Sequence, residues 1–327
     1  MSKSFSVSMF FCSLVLGAVV AMSSSSWLGV WMGLELNLLS FIPIIMLNRE
    51  SASVEAGLKY FLVQACSSLV VLQSGVYFIS VDSGLVVLVV LALVMKVGGA
   101  PFHFWFPSVS EGLNWGNVMI LFTIQKVAPL TLLFYLYSVE LETIYYTIVI
   151  LSGTVGAVSG FNEVLLRKLL SFSSISHLGW MILGMSISGW VWVEYLVFYI
   201  IITISLMFIL RSCEIFHLSQ IFSQSGAMGG VILGISFMSL GGLPPLVGFL
   251  PKWLLISSVS DLSCSLVVVY LIGMSLVTLF YYLRVGLSSF SLIKESWEVK
   301  FSLLELSGKE YIILFFNSLG LVLSGWV

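Results

Sequence analysis

Long apolar runs separated by short polar breaks dominate the chain. Each run is close to the roughly 20 apolar residues that an α-helix needs to cross a bilayer. The runs are unbroken, whereas a transmembrane β-barrel would show alternating segments of about ten residues. The pattern predicts about eleven membrane-spanning helices. They are predicted over residues 5–22, 27–47, 57–80, 84–104, 117–137, 143–161, 168–187, 190–211, 228–256, 263–287 and 309–327.

The first run admits two interpretations. Lys3 precedes an apolar stretch that ends at Met22, and four serines follow it. Such a segment is either a first membrane helix or a cleaved signal peptide. The regular succession of further spans favours the membrane helix.

Composition and net charge narrow the class of protein. Of the 327 residues, 59% are hydrophobic and 9% are charged, against about 25% charged in an ordinary soluble domain. The mean hydropathy is +1.13. With 13 basic and 15 acidic residues, the chain has no basic stripe, which excludes nucleic-acid binding. The sequence therefore predicts an all-α polytopic membrane protein, a single membrane domain over 1–327.

Charges in the connections indicate which side of the membrane each connection faces. The connections opposite the amino-terminal side hold Asp82, Glu140, Glu142 and Asp261 and no Lys or Arg. The amino-terminal side holds ten basic residues: Lys3, Arg49, Lys59, Arg167, Lys168, Arg211, Arg284, Lys294, Lys300 and Lys309. Because cytoplasmic or matrix loops are enriched in Lys and Arg, the amino terminus is predicted on that side. An eleventh helix would place the carboxyl terminus on the other.

Three of the thirteen basic residues remain after these ten, Lys96, Lys126 and Lys252; they fall inside predicted spans, and Glu35 joins them eight residues into the second span. A charge at the bilayer centre costs about 2.5–3.5 kcal/mol on insertion scales, so these residues are candidates for an ion pathway. The alternative is that a lysine near a helix end extends its ammonium to the headgroups. That alternative is weak for Lys96, which follows the apolar run 84–95, and it stays open for Lys126 and Lys252.

Two spans carry similar breaks. KVGGAPFHFWFP (96–107) and GGLPPLVGFLPKW (241–253) both contain Gly-Gly-x-Pro and a later proline. Proline interrupts a helix, and unwound backbone within a membrane must be buried in protein or line a watery cavity. Paired breaks of this kind are typical of inverted-repeat transporters. We therefore expect a five-helix repeat over 1–138, an inverted one over 139–288, and a polar loop with a terminal helix over 289–327, although simple kinks in packing helices are an alternative.

Lysine suits proton transfer in such a setting. Burial favours the neutral amine and a nearby carboxylate favours the ammonium, so Glu35 and Lys96 are predicted to form a proton switch. Lys126 and Lys252 are further relay candidates. His177, in SSISHLGW, is either a relay group or a structural hydrogen-bonding residue.

Several motifs resemble the subunit 2 family of mitochondrial NADH:ubiquinone oxidoreductase, respiratory complex I. They are spread in order over residues 31 to 253. They are WMGLELNLLSFIP (31–43), EAGLKYFLVQA (55–65), KVGGAPFHFWFP (96–107), TIQKVAP (123–129), LLRKLLSFSSISHLGW (165–180) and SLGGLPPLVGFLPKW (239–253). The resemblance implies an antiporter-like subunit of the membrane arm that moves protons and has no redox centre of its own.

The resemblance also implies roles for the membrane charges. Glu35 and Lys96 would form a regulatory pair, Lys126 would lie on a central axis, and Lys252 would lead to the exit. The expected location is the mitochondrial inner membrane, with the amino terminus in the matrix and the carboxyl terminus in the intermembrane space. The expected partners are other membrane-arm subunits, including neighbouring antiporter-like subunits, together with lipids and protons. NAD, FMN, iron-sulfur clusters and ubiquinone would belong to the parent complex.

The sequence contains no motif that would hold those cofactors in this chain. GxGxxG and Walker motifs are absent from it, and Cys12, Cys66, Cys213 and Cys264 lie singly without CxxC spacing. We therefore expect no cofactor or metal bound by this chain. Two other functions remain open: a free-standing cation/proton antiporter of related fold, and a purely structural membrane scaffold.

Overall fold

The computed structural model describes residues 2–47, 50–77, 83–221 and 227–296. Within these ranges the fold is helical, with one isolated antiparallel bridge between Leu165 and His217. The helices are α1 (Ser2–Ser23), α2 (Trp27–Met46), α3 (Ser51–Tyr77), α4 (Ser83–Val97), α5 (Trp105–Gly112), α6 (Trp115–Phe122), α7 (Ile124–Leu136), α8 (Glu142–Ser159), α9 (Leu166–Ile187), α10 (Val191–Ser212), α11 (Ala227–Gly241), α12 (Phe249–Ser257) and α13 (Leu262–Ser296).

The predicted all-α membrane class is confirmed. In the described ranges, seven helical segments are long and apolar enough to cross a membrane, and three shorter apolar helices accompany them. The predicted span 309–327 lies outside the described residues. The total of eleven spans and the repeat architecture therefore stay predictions.

The chain divides into two compact units, Met1–Ile148 and Val149–Val327. In the first unit α1 packs along α2, α2 along α3 and α3 along α4, and α7 contacts both α1 and α4. In the second unit α9 is the most buried of the candidate spans, and α10, α12 and α13 contact it. The predicted boundary between repeats, after residue 138, is not decided by this division.

Both Gly-Gly-x-Pro segments break their helices in the same way. Gly98 follows α4 with φ +80°, and Gly242 follows α11 with φ +81°. Gly98 N–H donates to the carbonyl of Met95 and Gly99 N–H to that of Val94. The matching bonds run from Gly242 to Ser239 and from Leu243 to Met238. Each helix thus ends in a Schellman motif, in which glycine takes the left-handed conformation that other residues adopt only at a cost.

The fifth predicted span is interrupted as well. Thr123 separates α6 from α7 with φ −112° and ψ −82°, and its hydroxyl donates to the carbonyl of Met119 at 2.6 Å. A threonine bonded to the preceding turn bends a helix. The apolar pattern alone carries no sign of this bend, because the residues on both sides of it are equally hydrophobic.

Gly98→Ala should destabilise the first broken helix. An added Cβ would lie 2.8–2.9 Å from the Phe106 ring, and the left-handed conformation costs a non-glycine residue about 1–2 kcal/mol. We expect a loss of at least about 2 kcal/mol in the free energy of unfolding, measured as a fall in the thermal midpoint. The control is Gly84→Ala in α4, where nothing lies within 4 Å of the added Cβ. Equal midpoints for the two variants would contradict this account of the break.

Candidate functional site

Glu35 lies in α2. This helix begins after Ser26, and the Ser26 hydroxyl caps it by accepting a hydrogen bond from the Gly29 N–H. The side chain is partly buried, and its Oε2 atom is buried with no hydrogen-bond partner among the described residues. Glu35 interacts electrostatically with Lys96 and Tyr60. A buried carboxylate oxygen without a hydrogen-bond donor is costly, so this oxygen is an available acceptor within the first unit.

Lys96 lies in the last turn of α4, where it is 5% exposed. Its Nζ atom is 3.3 Å from the Gln64 carbonyl oxygen and 3.5 Å from Gln64 Oε1. Gln64 Nε2 donates in return to the Lys96 carbonyl oxygen at 2.9 Å. The ammonium is therefore held by a neutral residue of α3 rather than by the Oε2 atom of Glu35.

Side chains from two other helices hydrogen-bond the carbonyl oxygens at the end of α4. A helix leaves its last carbonyls without intrahelical partners, and the indole N–H of Trp105, in α5, donates to the Met95 carbonyl at 3.0 Å. Gln64 satisfies the next carbonyl, that of Lys96. Two side chains from other helices thus complete the end of α4 and fix the backbone that carries Lys96.

Lys126 lies in α7, three residues after the bend at Thr123, and is 1% exposed. Its Nζ atom is 5.6 Å from the centre of the Phe106 ring and 5.8 Å from that of Phe122. The faces of aromatic rings attract a cation at such distances. These contacts place the ammonium deep within the first unit, which argues against extension to the headgroups.

A chain of side-chain hydrogen bonds joins three helices beside Lys126. The Tyr60 hydroxyl donates to Gln125 Oε1 at 3.3 Å, and Gln125 Nε2 donates to Asn37 Oδ1 at 2.8 Å. Asn37 is two residues from Glu35, and Gln125 precedes Lys126. The chain therefore fixes α2, α3 and α7 at the positions of the membrane charges.

Lys252 lies in α12 of the second unit and is 7% exposed. Its Nζ atom donates to the carbonyl of Gly241, the last residue of α11, at 3.0 Å. The ammonium also lies 5.9 Å from the centre of a Trp180 ring. A helix carboxyl terminus carries partial negative charge, so the break itself stabilises this lysine.

His177 lies near the middle of α9, and its Nδ1 atom is 2.8 Å from the Tyr195 hydroxyl. A cavity of the second unit is lined by His177, Lys252, Trp180, Ser176 and Thr278, among others. It has about 10 Å³ of room for the centre of a water molecule, close to what one water requires. The predicted relay candidates His177 and Lys252 therefore face one polar cavity.

The predicted residues are divided between the two units. Glu35, Lys96 and Lys126 belong to the first unit, and His177 and Lys252 to the second. Sequence reasoning did not single out two residues of the site, Asn37 and Tyr195, which contacts His177. Asn37 carried a usable signal, since a buried amide in a membrane span needs a partner. Among the described residues no group of three His, Cys, Asp or Glu side chains could hold a metal ion.

Known proteins resemble this chain in sequence and in fold. Residues 24–85 and 79–279 match the family described as NADH:quinone oxidoreductase/Mrp antiporter, TM. NADH-ubiquinone oxidoreductase chain 2 of Anopheles gambiae is 39% identical over 311 residues, which cover 91% of this chain and 90% of the relative. The protein of the same name from Aedes aegypti is 41% identical, covering 90% and 89%.

This chain belongs to the NADH-ubiquinone oxidoreductase chain 2 family. Solved structures share the fold of this family member. A chain of respiratory complex I from Thermus thermophilus aligns with a TM-score of 0.83 at 23% identity, over 98% of this chain and 79% of that one. A chain of the Mrp complex from Dietzia sp. DQ12-45-1b aligns with a TM-score of 0.75 at 20% identity, over 85% and 58%. The antiporter-like fold is therefore common to both kinds of complex.

Gln125→Leu should loosen the first unit of this chain 2 family member. The change leaves Asn37 Oδ1 and the Tyr60 hydroxyl without the partners described above. Stranding a buried polar group costs about 1–3 kcal/mol, which we expect as a lower thermal midpoint of the purified protein. Gln73→Leu, at an exposed position of α3, is the control and should leave the midpoint unchanged. Equal thermal midpoints for Gln125→Leu and the control would show that the hydrogen bonds of Gln125 do not stabilise the packing of α2, α3 and α7.

Proposed function

We propose that the protein is a core membrane-arm subunit of proton-translocating NADH:ubiquinone oxidoreductase. It moves protons across the mitochondrial inner membrane while electrons pass from NADH to ubiquinone elsewhere in the complex. Family membership supports the assignment, and the buried charges supply groups that can carry protons. The protein is then part of a translocase and holds no redox centre itself.

The observation that carries the proposal is the state of Lys96. Its ammonium rests on Gln64 while Oε2 of Glu35 has no partner, although the two charged groups interact electrostatically. The side chain of Lys96 therefore has two alternative acceptors, one neutral and one anionic. Because a nearby carboxylate favours the ammonium and burial favours the amine, movement between Gln64 and Glu35 would change how tightly Lys96 holds its proton.

The remaining charges extend the relay in both units. Lys126 is buried in the first unit with its ammonium beside the rings of Phe106 and Phe122, and it supplies a further proton-carrying group there. In the second unit, His177 and Lys252 face a cavity that has room for a water molecule. A water there would bridge the imidazole and the ammonium, since water-mediated hydrogen bonds transmit protons over distances that side chains do not span.

The architecture and setting complete the proposal. The two breaks with identical cap geometry support two five-helix repeats of opposite orientation, since paired broken helices are typical of such transporters. The basic connections support an amino terminus in the matrix and a carboxyl terminus in the intermembrane space. The partners are other membrane-arm subunits, and NAD, FMN, iron-sulfur clusters and ubiquinone are bound elsewhere in the assembly.

Lys96→Met should impair NADH:ubiquinone turnover coupled to proton pumping without preventing assembly. Methionine keeps the apolar length of the side chain but cannot carry a proton. Glu35→Gln should act in the same direction, because it removes the anionic acceptor. Loss of a positioned proton-transfer group lowers rates by about 100-fold or more, measured as quinone-dependent NADH oxidation and acidification in vesicles.

Lys59→Met is the matched control for Lys96→Met. Lys59 is exposed in α3 and pairs with Glu55 at the surface, so its loss should leave coupled turnover unchanged. Full coupled activity in an assembled Lys96→Met complex would overturn the pump assignment. It would favour the scaffold alternative.

The free-standing antiporter is the second candidate, since the fold is shared with a chain of an Mrp complex. Native-gel migration separates the two functions. We expect this 36.0 kDa chain in a very large assembly that carries flavin and iron-sulfur signals. Migration as an isolated chain with cation/proton exchange after purification would favour the antiporter instead.

A further inference from the structure

Four buried tyrosines surround the serine-rich half of α9, and the relay described above uses none of them. They are Tyr195 and Tyr199 of α10 and Tyr281 and Tyr282 of α13, each at most 2% exposed. Tyr282 interacts electrostatically with Tyr195 and Tyr199. We call these four residues the tyrosine cluster. All of them lie in the second unit.

The cluster ends on a relay residue. The Tyr195 hydroxyl lies 2.8 Å from His177 Nδ1, and the Tyr199 ring is 5.3 Å from the imidazole between ring centres. His177 also lines the cavity that it shares with Lys252. The imidazole is thus a neighbour of both the cluster and the cavity of the second lysine.

Two hydroxyls of the cluster lack a well-formed hydrogen bond. The Oη atoms of Tyr281 and Tyr282 are buried without a hydrogen-bond partner among the described residues. The polar groups that interact with them include each other, Ser176 beside Tyr281 and Ser173 beside Tyr282, in contacts too poorly aligned to count as full hydrogen bonds among the described residues. A buried hydroxyl without a partner lowers stability, so phenylalanine would suit a purely structural position better at both places.

The cluster extends towards one end of the bundle. The ring of Tyr281 lies against Gly160, where an added Cβ would be 3.0 Å from Cε1. Gly160 begins the connection between α8 and α9, and Arg284 donates to the Glu163 carbonyl in that connection at 3.4 Å. This end carries the basic residues Arg167 and Lys168. The hydroxyls therefore lie between the basic end of the unit and His177.

We propose that the tyrosine cluster, with Ser173 and Ser176, binds ordered water and conducts protons from the basic end to His177. A proton that reaches the Tyr195 oxygen is matched by transfer of the hydroxyl proton to Nδ1 of His177. The imidazolium then releases the Nε2 proton into the cavity, and the ring returns to its first tautomer before the next transfer. No electron moves, and Tyr195 is regenerated at each step. This inference rests on the proposed proton-pumping function.

Tyr281→Phe and Tyr282→Phe provide the sharpest test, in the assembled complex reconstituted in vesicles. Each change removes one oxygen that lacks a well-formed hydrogen bond among the described residues, so the thermal midpoint should stay equal or rise. Coupled NADH:quinone turnover and proton movement should nevertheless fall by about tenfold or more. Tyr195→Phe should reduce both activities similarly, because it removes the hydroxyl that contacts His177. NADH oxidation by an artificial acceptor, which needs no proton movement, should be unchanged in all three variants.

Tyr145→Phe is the matched control. Its buried hydroxyl donates to the Leu133 carbonyl at 2.7 Å, so its loss should lower the thermal midpoint and leave proton movement unchanged. Normal coupled turnover in the Tyr281, Tyr282 and Tyr195 variants would overturn the inference. So would a lower thermal midpoint in Tyr281→Phe and Tyr282→Phe that accounts for all the lost activity. If Lys96→Met is inactive while the tyrosine variants are normal, only this inference fails. Full activity in Lys96→Met as well would mean that the proposed function fails with it.

Discussion

The rest of the structure depends on the hydrogen bonds that stabilise lysine ammonium groups buried away from water. A buried charge must be neutralised or hydrogen-bonded, and the oxygen atoms come from the broken helix itself for Lys252 and from the neighbouring α3 for Lys96. Lys252 donates to the carbonyl that ends α11, and Lys96 lies at the end of α4, where Gln64 receives its ammonium. The first half-helix of the second unit, α11, points its partially negative carboxyl terminus at Lys252. The second break therefore stabilises a buried charge directly, whereas the first fixes the backbone that carries Lys96.

The two breaks are alike in backbone but place their lysines differently. Gly98 and Gly242 have nearly equal φ angles and the same pair of capping hydrogen bonds. Lys96 precedes its glycine by two residues, whereas Lys252 follows Gly242 by ten. As a result, Lys96 needs an acceptor from a neighbouring helix, while Lys252 reaches back across its own break. A lysine that depends on a neighbouring helix responds to movement of that helix, and this suits Lys96 to a switch.

Much of the site could be predicted because charge is so scarce in the sequence. The free energy of placing a charge within the bilayer was enough to single out Glu35, Lys96, Lys126 and Lys252. All three lysines are buried in the structure. The pattern could not reveal that Lys96 would contact Gln64 instead of Glu35, because α3 and α2 offer acceptors of similar reach. Nor could it reveal the link from Tyr60 through Gln125 to Asn37. Such partners are 65 and 88 residues apart in sequence, so only packing joins them.

The sequence by itself determined the membrane class, the two breaks and the identity of the costly charges. These follow from local properties: apolar length, the missing amide of proline, and the free energy of burying a charge. The tertiary structure decided which oxygen holds each ammonium, where Thr123 bends the fifth span, and that tyrosine hydroxyls gather beside His177. Those features depend on side chains from different helices meeting at distances of about 3 Å. Periodicity along one chain carries no information about such meetings.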